Sequence, residues 1–315
     1  MVTPSRRVLI VGCGYVGLEL GRQLSVLGHE VFGLRRSSAG AEALRAAGLT
    51  PLTGDLTQSE TLLHLPGRFD WVVNTVSSSR GGTDEYRTVY RDGMRNLLDW
   101  LREHPPEAFA YTSSTSVYGQ TSGDWVDESA PTEPGTETGR LLVATEQLVL
   151  EAARSGSVPG RVLRVAGIYG PGRGHLFQQF LKDEARLQGD GSRWINMIHR
   201  DDVAGALIAA LTRGRAGELY NAVDDEPVSQ LGFLAWLANR LNRPLPPQAT
   251  PEEAAGRKRG FTHKRVSNRK LRTETDWIPR HPTFREGYAG DVEAQLDAAV
   301  IPNNRARDPL SNDDR

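Results

Sequence analysis

Three glycines near the N-terminus have the spacing with which a backbone can bind a pyrophosphate. Gly12, Gly14 and Gly17 follow the apolar segment 7–11 and precede a helical pattern of leucines. In such a strand–turn–helix, the first glycine makes the tight turn, the second admits the pyrophosphate and the third lets the helix pack on the strand. Free N–H groups at the helix N-terminus would face the phosphates. The motif predicts dinucleotide binding through Gly12, Gly14, Tyr15, Val16 and Gly17.

The residues after the second predicted strand bear on which dinucleotide binds. In folds of this kind, an acidic residue roughly twenty positions after the glycines accepts hydrogen bonds from the ribose of NAD. Here the strand 29–34 ends in Arg35 and Arg36. Guanidinium groups favour a 2′-phosphate, which arginine binds in a forked, charge-assisted geometry. The pattern predicts NADP, with NAD as the alternative if both arginines are only solvated surface residues.

The composition excludes several classes of protein. The 315 residues include 38 basic and 39 acidic ones, and the net charge of −1 implies no global attraction to nucleic acid or membranes. The single cysteine, Cys13, excludes a disulfide framework and a multi-cysteine metal site, and we interpret it as a packing residue. No apolar run has the length of a membrane span, and no signal-peptide pattern is present. We predict a cytoplasmic protein with no metal.

Strand-like and helix-like segments alternate through the first half of the chain, which is typical of a parallel sheet built from βαβ units. We predict an α/β fold with a Rossmann-type doubly wound parallel sheet and a smaller C-terminal substrate lobe. The NAD(P)-binding domain would span 1–166 with a contribution from 190–225, the substrate lobe most of 167–300, and a disordered tail 302–315. Further strands are predicted at 49–54, 69–76, 107–113, 161–166, 194–198 and 217–222, and helices at 39–47, 84–103, 139–154, 175–188 and 229–242.

Small and polar residues follow several predicted strands, at the edge where open parallel sheets bind ligands. The carboxylate of Asp55 could accept a hydrogen bond from an adenine amine, or it could simply begin a turn. The remaining contacts would run along the cofactor towards its nicotinamide. The residues expected to contact the cofactor at this edge are Asp55, Leu56, Thr75, Val76 and Ser113.

Six sequence blocks carry a family resemblance that covers about 1–225 of the chain. They are Gly12–Gly17, Gly54–Leu56, Thr112–Gly119, Arg164–Pro171, His199–Ala204 and Gly217–Asn221. In order and spacing the chain resembles the extended short-chain dehydrogenases/reductases, the superfamily of nucleotide-sugar epimerases and dehydratases. The resemblance implies a nucleotide-binding first half and a C-terminal lobe that closes over a sugar nucleotide or a similar substrate.

One element of that family is missing, its Tyr-x-x-x-Lys pair, in which the tyrosine is the general acid/base and the lysine lowers its pKa. Thr138 stands where the tyrosine is expected, and Leu142 where the lysine is expected. A threonine hydroxyl cannot be tuned to act as an acid near neutral pH as a phenol beside an ammonium can. Ser114 matches the family's substrate-binding serine. The candidate catalytic residues of this atypical member are Ser114 and, at the position of the tyrosine, Thr138.

Residues outside these motifs are candidate substrate contacts. Tyr118 could reach the cleft from its strand end, although a Val-Tyr-Gly turn also suits a structural plug. The segment 257–272 is strongly basic, and the resemblance implies that it faces substrate phosphates through Lys264, Arg265 and Asn268. A solvated basic surface is the alternative, and a nucleic-acid patch is less favoured because such proteins usually carry a basic face across the fold.

His199 precedes a helix whose first turn holds Asp201 and Asp202. These acids suit the helix dipole without any catalytic role, and one histidine with adjacent carboxylates is poor evidence for a metal site. His199 as a catalytic base is the less favoured interpretation.

The sequence thus favours an NAD(P)-dependent oxidoreductase or epimerase-like protein with a non-standard site, acting on a sugar nucleotide or another phosphate-bearing small molecule. The alternative is a non-catalytic NADP-binding sensor or regulatory protein, and a weaker third is a nucleic-acid-associated protein. By analogy with the family, a homodimer would form through the helices near 84–103 and 139–154.

Overall fold

Seven strands of the described chain form a central parallel sheet, and the other six pair in three short two-stranded sheets. The computed structural model describes residues 4–78, 81–255 and 262–304. The strands are β1 (Arg7–Val11), β2 (Glu30–Arg35), β3 (Thr50–Thr53), β4 (Trp71–Asn74), β5 (Ala108–Ser114), β6 (Trp125–Val126), β7 (Gly160–Val165), β8 (Gly167–Tyr169), β9 (Trp194–Ile195), β10 (Met197–His199), β11 (Leu219–Ala222), β12 (Val228–Ser229) and β13 (Arg265–Val266). The sheet order is β11-β7-β5-β4-β1-β2-β3, so the chain reverses its direction across the sheet beside β1. This is the doubly wound arrangement that the sequence predicted.

Helices pack on both faces of this sheet and in a smaller lobe beyond it. They are α1 (Tyr15–Val26), α2 (Ala41–Ala46), α3 (Ser59–Leu62), α4 (Thr83–Tyr86), α5 (Gly93–Glu103), α6 (Glu137–Arg154), α7 (His175–Leu181), α8 (Arg200–Arg213), α9 (Gln230–Leu241), α10 (Pro251–Ala255), α11 (Arg269–Thr275), α12 (Phe284–Gly287) and α13 (Ala289–Asn304). A π-helical turn, Arg87–Asp92, joins α4 to α5, so the helix predicted at 84–103 forms with a widened middle.

The strands are apolar on both faces because each face is covered. In β1, Val8 and Ile10 belong to the core layer that contains α1 and α8. Leu9 and Val11 point the other way, into the layer that contains α5 and α6. This burial on both faces is typical of parallel sheets and explains the continuous apolar run before the glycine turn.

A third apolar cluster forms a smaller lobe beyond the sheet. It brings together Tyr169 of β8, Phe177 of α7, Phe233 of α9, Phe284 of α12 and Tyr288, which follows α12. The ring of Tyr169 stacks on that of Tyr288, with centroids 4.3 Å apart. The lobe therefore has its own core.

Three predicted elements differ from the structure in their bounds, and for two of them the structure gives a local reason. The helix predicted at 175–188 ends at Leu181, because Asp183 adopts a left-handed backbone with φ of 60°. The strand predicted at 194–198 is interrupted at Asn196. Its side-chain amide donates a hydrogen bond to the Lys264 carbonyl and accepts one from the Val266 amide. The expected disordered tail begins at 302, but α13 continues to Asn304, and 305–315 lie outside the described residues.

No helix among the described residues is both long and apolar enough to cross a membrane.

Candidate cofactor and catalytic site

The glycine turn between β1 and α1 distinguishes structural glycines from one that leaves room for a ligand. Gly12 has φ of +76°, and a Cβ there would lie 2.5 Å from Val76 Cγ2. A Cβ on Gly17 would lie 2.9 Å from Thr75 Oγ1. At Gly14, by contrast, a Cβ would meet only the Gly12 carbonyl among the described residues, at 3.8 Å. Packing therefore explains Gly12 and Gly17, whereas the space over Gly14 is open.

Gly14 is also the N-cap of α1, and it has no side chain to satisfy the first N–H groups of this helix. Tyr15 and Val16 begin the helix and are only half-buried. Unsatisfied N–H groups at a helix N-terminus, next to an open space, form an anion-binding arrangement. The turn thus has the arrangement that suits a phosphate group, and its contact with a cofactor stays a prediction.

The end of β4 holds the glycine turn in place. The Thr75 hydroxyl donates to the Gly12 carbonyl over 3.0 Å, and the Thr75 amide donates to Val11 O over 2.9 Å. The amide of Val76 donates to Asn74 Oδ1 over 3.0 Å. Thr75 and Val76 therefore lie beside the turn, as predicted for residues along the middle of a cofactor.

Arg35 is fixed at the end of β2 beside the same turn. Its Nε donates to the Cys13 carbonyl over 2.7 Å, so the backbone of the glycine turn orients the guanidinium. A Cβ on Gly40 would lie only 2.2 Å from Arg35 Nη1, so the glycine leaves room for this group. Arg36 is exposed. Burial raises the pKa of the Cys13 thiol to about 12, with Arg35 opposing, which agrees with a packing role.

Asp55 and Leu56 have structural contacts of their own. Asp55 Oδ1 accepts hydrogen bonds from the Thr57 amide and the Thr57 hydroxyl, each over 2.9 Å. Leu56 is buried in the core, and its carbonyl accepts from Asn96 Nδ2 over 2.7 Å. The turn-forming interpretation of Asp55 is therefore realised, and contact of either residue with an adenine stays a prediction.

Ser113 and Tyr118 belong to a buried polar network, and their contacts with cofactor and substrate stay predictions. The Ser113 hydroxyl donates to Glu146 Oε1 over 2.6 Å, and Glu146 pairs with Arg164 over 2.7 Å. The Tyr118 hydroxyl accepts from Arg164 Nη1 and donates to Asn221 Oδ1, both over 2.9 Å. Burial raises the pKa of Tyr118. Strand alternation turns Ser113 inward, and Tyr118 is the structural plug that the alternative interpretation described.

Ser114 follows on the opposite side of β5 and is only half-buried. Its Oγ accepts from the Ser116 amide over 3.1 Å, which caps the short 3-10 turn Thr115–Val117. In this role the hydroxyl is an acceptor, so its hydrogen can be donated to a ligand. Ser114 remains the best-placed candidate for binding a substrate oxygen at this edge.

Thr138 and Leu142 lie one turn apart at the start of α6. The Thr138 hydroxyl donates to Thr136 Oγ1 over 3.3 Å, and Thr136 caps the helix by accepting from the Gly139 amide over 3.1 Å. Leu142 is 5% exposed and packs in the core layer that also contains Val117. An apolar side chain therefore occupies the position at which the family resemblance implies an ammonium.

Lys264 places a cation close to the Ser114 turn. The side chain is 4% exposed, and its Nζ donates to the Tyr118 carbonyl over 2.9 Å. Burial, with the charge of Arg193, lowers the pKa of Lys264 to about 8. A lysine of this kind can change its protonation state near neutral pH.

Arg265 and Asn268, predicted with Lys264 as substrate contacts, support the local structure. The Arg265 guanidinium lies between the rings of Trp125 and Trp194, 5.3 and 5.2 Å from their centroids, and its Nε donates to the Gly123 carbonyl. Asn268 Nδ2 donates to the Val223 carbonyl and to Asp225 Oδ1. Asn268 therefore holds the loop after β11. Residues 256–261 of the basic segment lie outside the described part of the chain.

Sequence reasoning missed His281, which joins His199 and Asp202 at the junction of the sheet and the smaller lobe. Their possible ligand atoms lie within 4.8 Å of one another. Hydrogen bonds already engage them: His199 Nδ1 accepts from the Asp201 amide, and Asp202 Oδ2 accepts from His281 Nδ1 over 2.9 Å. The bond to Asp202 raises the pKa of His281, while burial lowers that of His199. His281 lies far along the chain in a loop, so no local pattern indicated it.

The doubly wound sheet and the glycine turn at the start of α1 define a dinucleotide-binding protein of the Rossmann type. The chain belongs to the NAD dependent epimerase/dehydratase family, whose model matches residues 8–222. The match contains the glycine turn, the Ser114 turn and α6.

Two relatives and one solved structure cover most of the chain. Protein YeeZ of Escherichia coli K12 is 30% identical over 273 residues, which cover 84% of this chain and 93% of that protein. The 3-diazoavenalumate denitrifying reductase of a Streptomyces species is 28% identical over 327 residues, covering 89% and 98%. The structure of a putative NAD-dependent epimerase/dehydratase from Methylobacillus flagellatus is 32% identical with a TM-score of 0.71, covering 94% and 100%.

Proposed function

We propose that this protein binds NADP and transfers hydride to or from a sugar nucleotide or another phosphate-bearing small molecule, without the usual tyrosine–lysine pair. The observation that carries the cofactor part is the open space over Gly14, which packing within the protein does not explain. A pyrophosphate at the N-terminus of α1 would occupy this space. Membership of an NAD-dependent family supports the same assignment.

The preference for NADP over NAD rests on Arg35. A guanidinium oriented by the Cys13 carbonyl is prepared to bind a phosphate, because less side-chain freedom is lost on binding. Arg36 adds a second positive charge at the same strand end. The 2′-phosphate of NADP is the cofactor group that these charges fit.

The substrate part rests on Ser114 and Lys264, which the fold brings to the loop after β5. A hydroxyl that can donate and a buried ammonium suit an oxygen-rich, negatively charged substrate. The smaller lobe, from 167 to 300, would cover this substrate. The Streptomyces relative is named a reductase of a diazo compound, which supports a reduction without limiting the substrate to sugars.

A non-catalytic NADP-binding sensor is the second candidate, and a specific observation favours it. Leu142 is buried at the position where the resemblance implies a lysine, and within the described part of the chain the Thr138 hydroxyl hydrogen-bonds only Thr136. A sensor needs to bind the cofactor but does not need an acid/base pair.

The association of two copies is a separate proposal. A groove of about 430 Å³ lies between α5 and α6, and apolar Leu98 and Leu148 share its walls with Arg95, Arg102 and Glu151. These two helices are the ones through which the family resemblance implies a homodimer. Sedimentation at several protein concentrations tests it.

The experiment that separates the two functions uses deuterium-labelled NADPH. NADPH and NADH are first titrated by calorimetry, and we expect NADPH to bind at least as tightly as NADH. Labelled NADPH is then incubated with the protein and with whatever small molecule co-purifies with it. Deuterium in that molecule supports the enzyme, NADPH binding without transfer supports the sensor, and absence of NADPH binding contradicts both.

A further inference from the structure

The first residue of α1, Tyr15, lies between two arginines that come from later parts of the chain. The guanidinium of Arg173 is 4.9 Å from the centre of the Tyr15 ring, and that of Arg200 is 5.1 Å from it. Tyr15 directly follows Gly14, whose open space marks the place for a pyrophosphate. Both positive charges therefore lie close to the N-terminus of α1.

The two arginines differ in their partners. Arg200 pairs with Asp201 over 2.9 Å and lies 3.7 Å from Glu19, so its charge is compensated. Among the described residues, no carboxylate lies within ion-pair distance of Arg173, which is exposed. Arg173 therefore brings an uncompensated charge to this position, where an anion can pair with it.

The loop that carries Arg173 is held against Tyr15. Gly170 and Gly172 have φ of +132° and +71°, conformations that favour glycine. The Tyr15 hydroxyl donates to the Pro171 carbonyl over 3.2 Å. A Cβ on Gly170 would lie 2.9 Å from His199 Nε2 and 3.1 Å from the Tyr15 hydroxyl oxygen, so a side chain there would displace these groups. The loop thus presents Arg173 to the glycine turn from the side of the smaller lobe.

We propose that Arg173 is a cofactor-binding residue that pairs with the pyrophosphate of the dinucleotide bound over Gly14. The proposal rests on the proposed NADP binding and adds a contact from outside the glycine turn. Residues 12–17 can offer N–H groups but contain no cationic side chain. Arginine forms forked, charge-assisted hydrogen bonds with phosphate oxygens, so a small movement of the Arg173 side chain off the Tyr15 ring would supply the missing charge.

The test compares Arg173→Gln with wild type by NADPH titration at several salt concentrations. We expect the substitution to weaken NADPH binding roughly tenfold or more, as for the loss of a charge-assisted hydrogen bond, and to reduce its salt dependence. Arg7→Gln is the matched control. Arg7 also lies over aromatic rings, those of Phe32 and Phe69, but at the opposite end of β1. This control should leave NADPH affinity unchanged.

Adenosine 2′-monophosphate, which lacks a pyrophosphate, makes the test specific. Arg173→Gln should bind it as wild type does, because only the pyrophosphate contact is removed. Unchanged NADPH affinity in Arg173→Gln would overturn this inference and leave the proposed function intact. An equal loss for both ligands would overturn it as well, since the damage would then be general. Failure of wild type to bind NADPH would refute the proposed function and this inference together.

Discussion

The carboxyl edge of the central sheet has two halves, and they differ in how many features of the family's site they contain. At the ends of β1, β2 and β4, the turn over Gly14 is open, and Arg35 is oriented beside it. At the end of β5 and the start of α6, buried Leu142 and the plug Tyr118 occupy the interior. The first half has the features of a dinucleotide site, while the second lacks the acid/base pair that the resemblance implies.

This difference teaches that cofactor binding and proton transfer are separable parts of the fold. Backbone geometry builds the first half, since its contacts use carbonyl and N–H groups of the turn. Side chains must build the second half, and positions 138 and 142 carry threonine and leucine where the resemblance implies tyrosine and lysine. Ser114 and Lys264 are the polar groups that remain beside it.

The largest expected effect comes from filling the space over Gly14. Gly14→Val should weaken NADPH binding by roughly a hundredfold or more, because the added methyl groups take the space of the pyrophosphate and its hydrogen bonds are lost. The backbone at Gly14 has φ of −93° and ψ of −140°, outside the regions that residues with a Cβ favour, so a loss of fold has to be separated from a loss of binding. Calorimetric titration measures the loss, and circular dichroism checks the fold.

Gly135→Val is the control for this substitution. A Cβ on Gly135 also meets nothing within 4 Å, but this residue lies outside the glycine turn. If both variants bind NADPH as wild type does, the glycine turn is only a structural element and the comparison between the two halves fails.

The next effect concerns the choice between the two dinucleotides. Arg35→Asp should shift the preference towards NADH by roughly 1–3 kcal/mol, the range for losing a charge-assisted contact and adding repulsion. Arg45→Asp, an exposed change of equal charge on α2, should leave the preference unchanged. Equal shifts in the two variants would mean that net charge, and not the contact of Arg35, determines the preference.

The third effect is a pH dependence of stability in the second half. The folded pKa of Lys264 is lowered to about 8 from 10.5, so above pH 8 the unfolded chain binds more protons than the folded one. The free energy of unfolding should therefore rise by about 2 kcal/mol from pH 7 to pH 9.5 through this residue. Lys264→Met should remove that rise.

Urea unfolding of wild type and Lys264→Met at the two pH values measures this difference. Lys182→Met, at an exposed position on the end of α7, controls for the loss of any lysine. If the free energy of unfolding of Lys264→Met rises with pH as much as that of wild type, Lys264 is not a buried ammonium.

The sequence predicted the doubly wound parallel sheet and the glycine turn because both leave local patterns in the chain. Apolar runs on strands buried from two sides and glycines at fixed spacing are visible in one stretch of chain. The partners of Ser113 and Tyr118 could not be predicted in this way, since Glu146 and Asn221 come from distant elements. The same holds for Asn268, whose contacts lie on the loop after β11. The sequence shows that these side chains are polar, and only the tertiary fold shows which distant groups complete their hydrogen bonds.

We propose that chemistry in this protein does not pass through position 138, and activity with simple UDP-sugars tests this proposal most directly. Epimerisation by wild type, Thr138→Ser and Thr138→Ala is measured with saturating dinucleotide. We predict very low activity in wild type and almost no change in either variant. Thr138→Tyr combined with Leu142→Lys should restore part of an ordinary acid/base site if the pocket admits the ring. Robust wild-type epimerisation that falls sharply in Thr138→Ala would contradict this account and make Thr138 a catalytic hydroxyl.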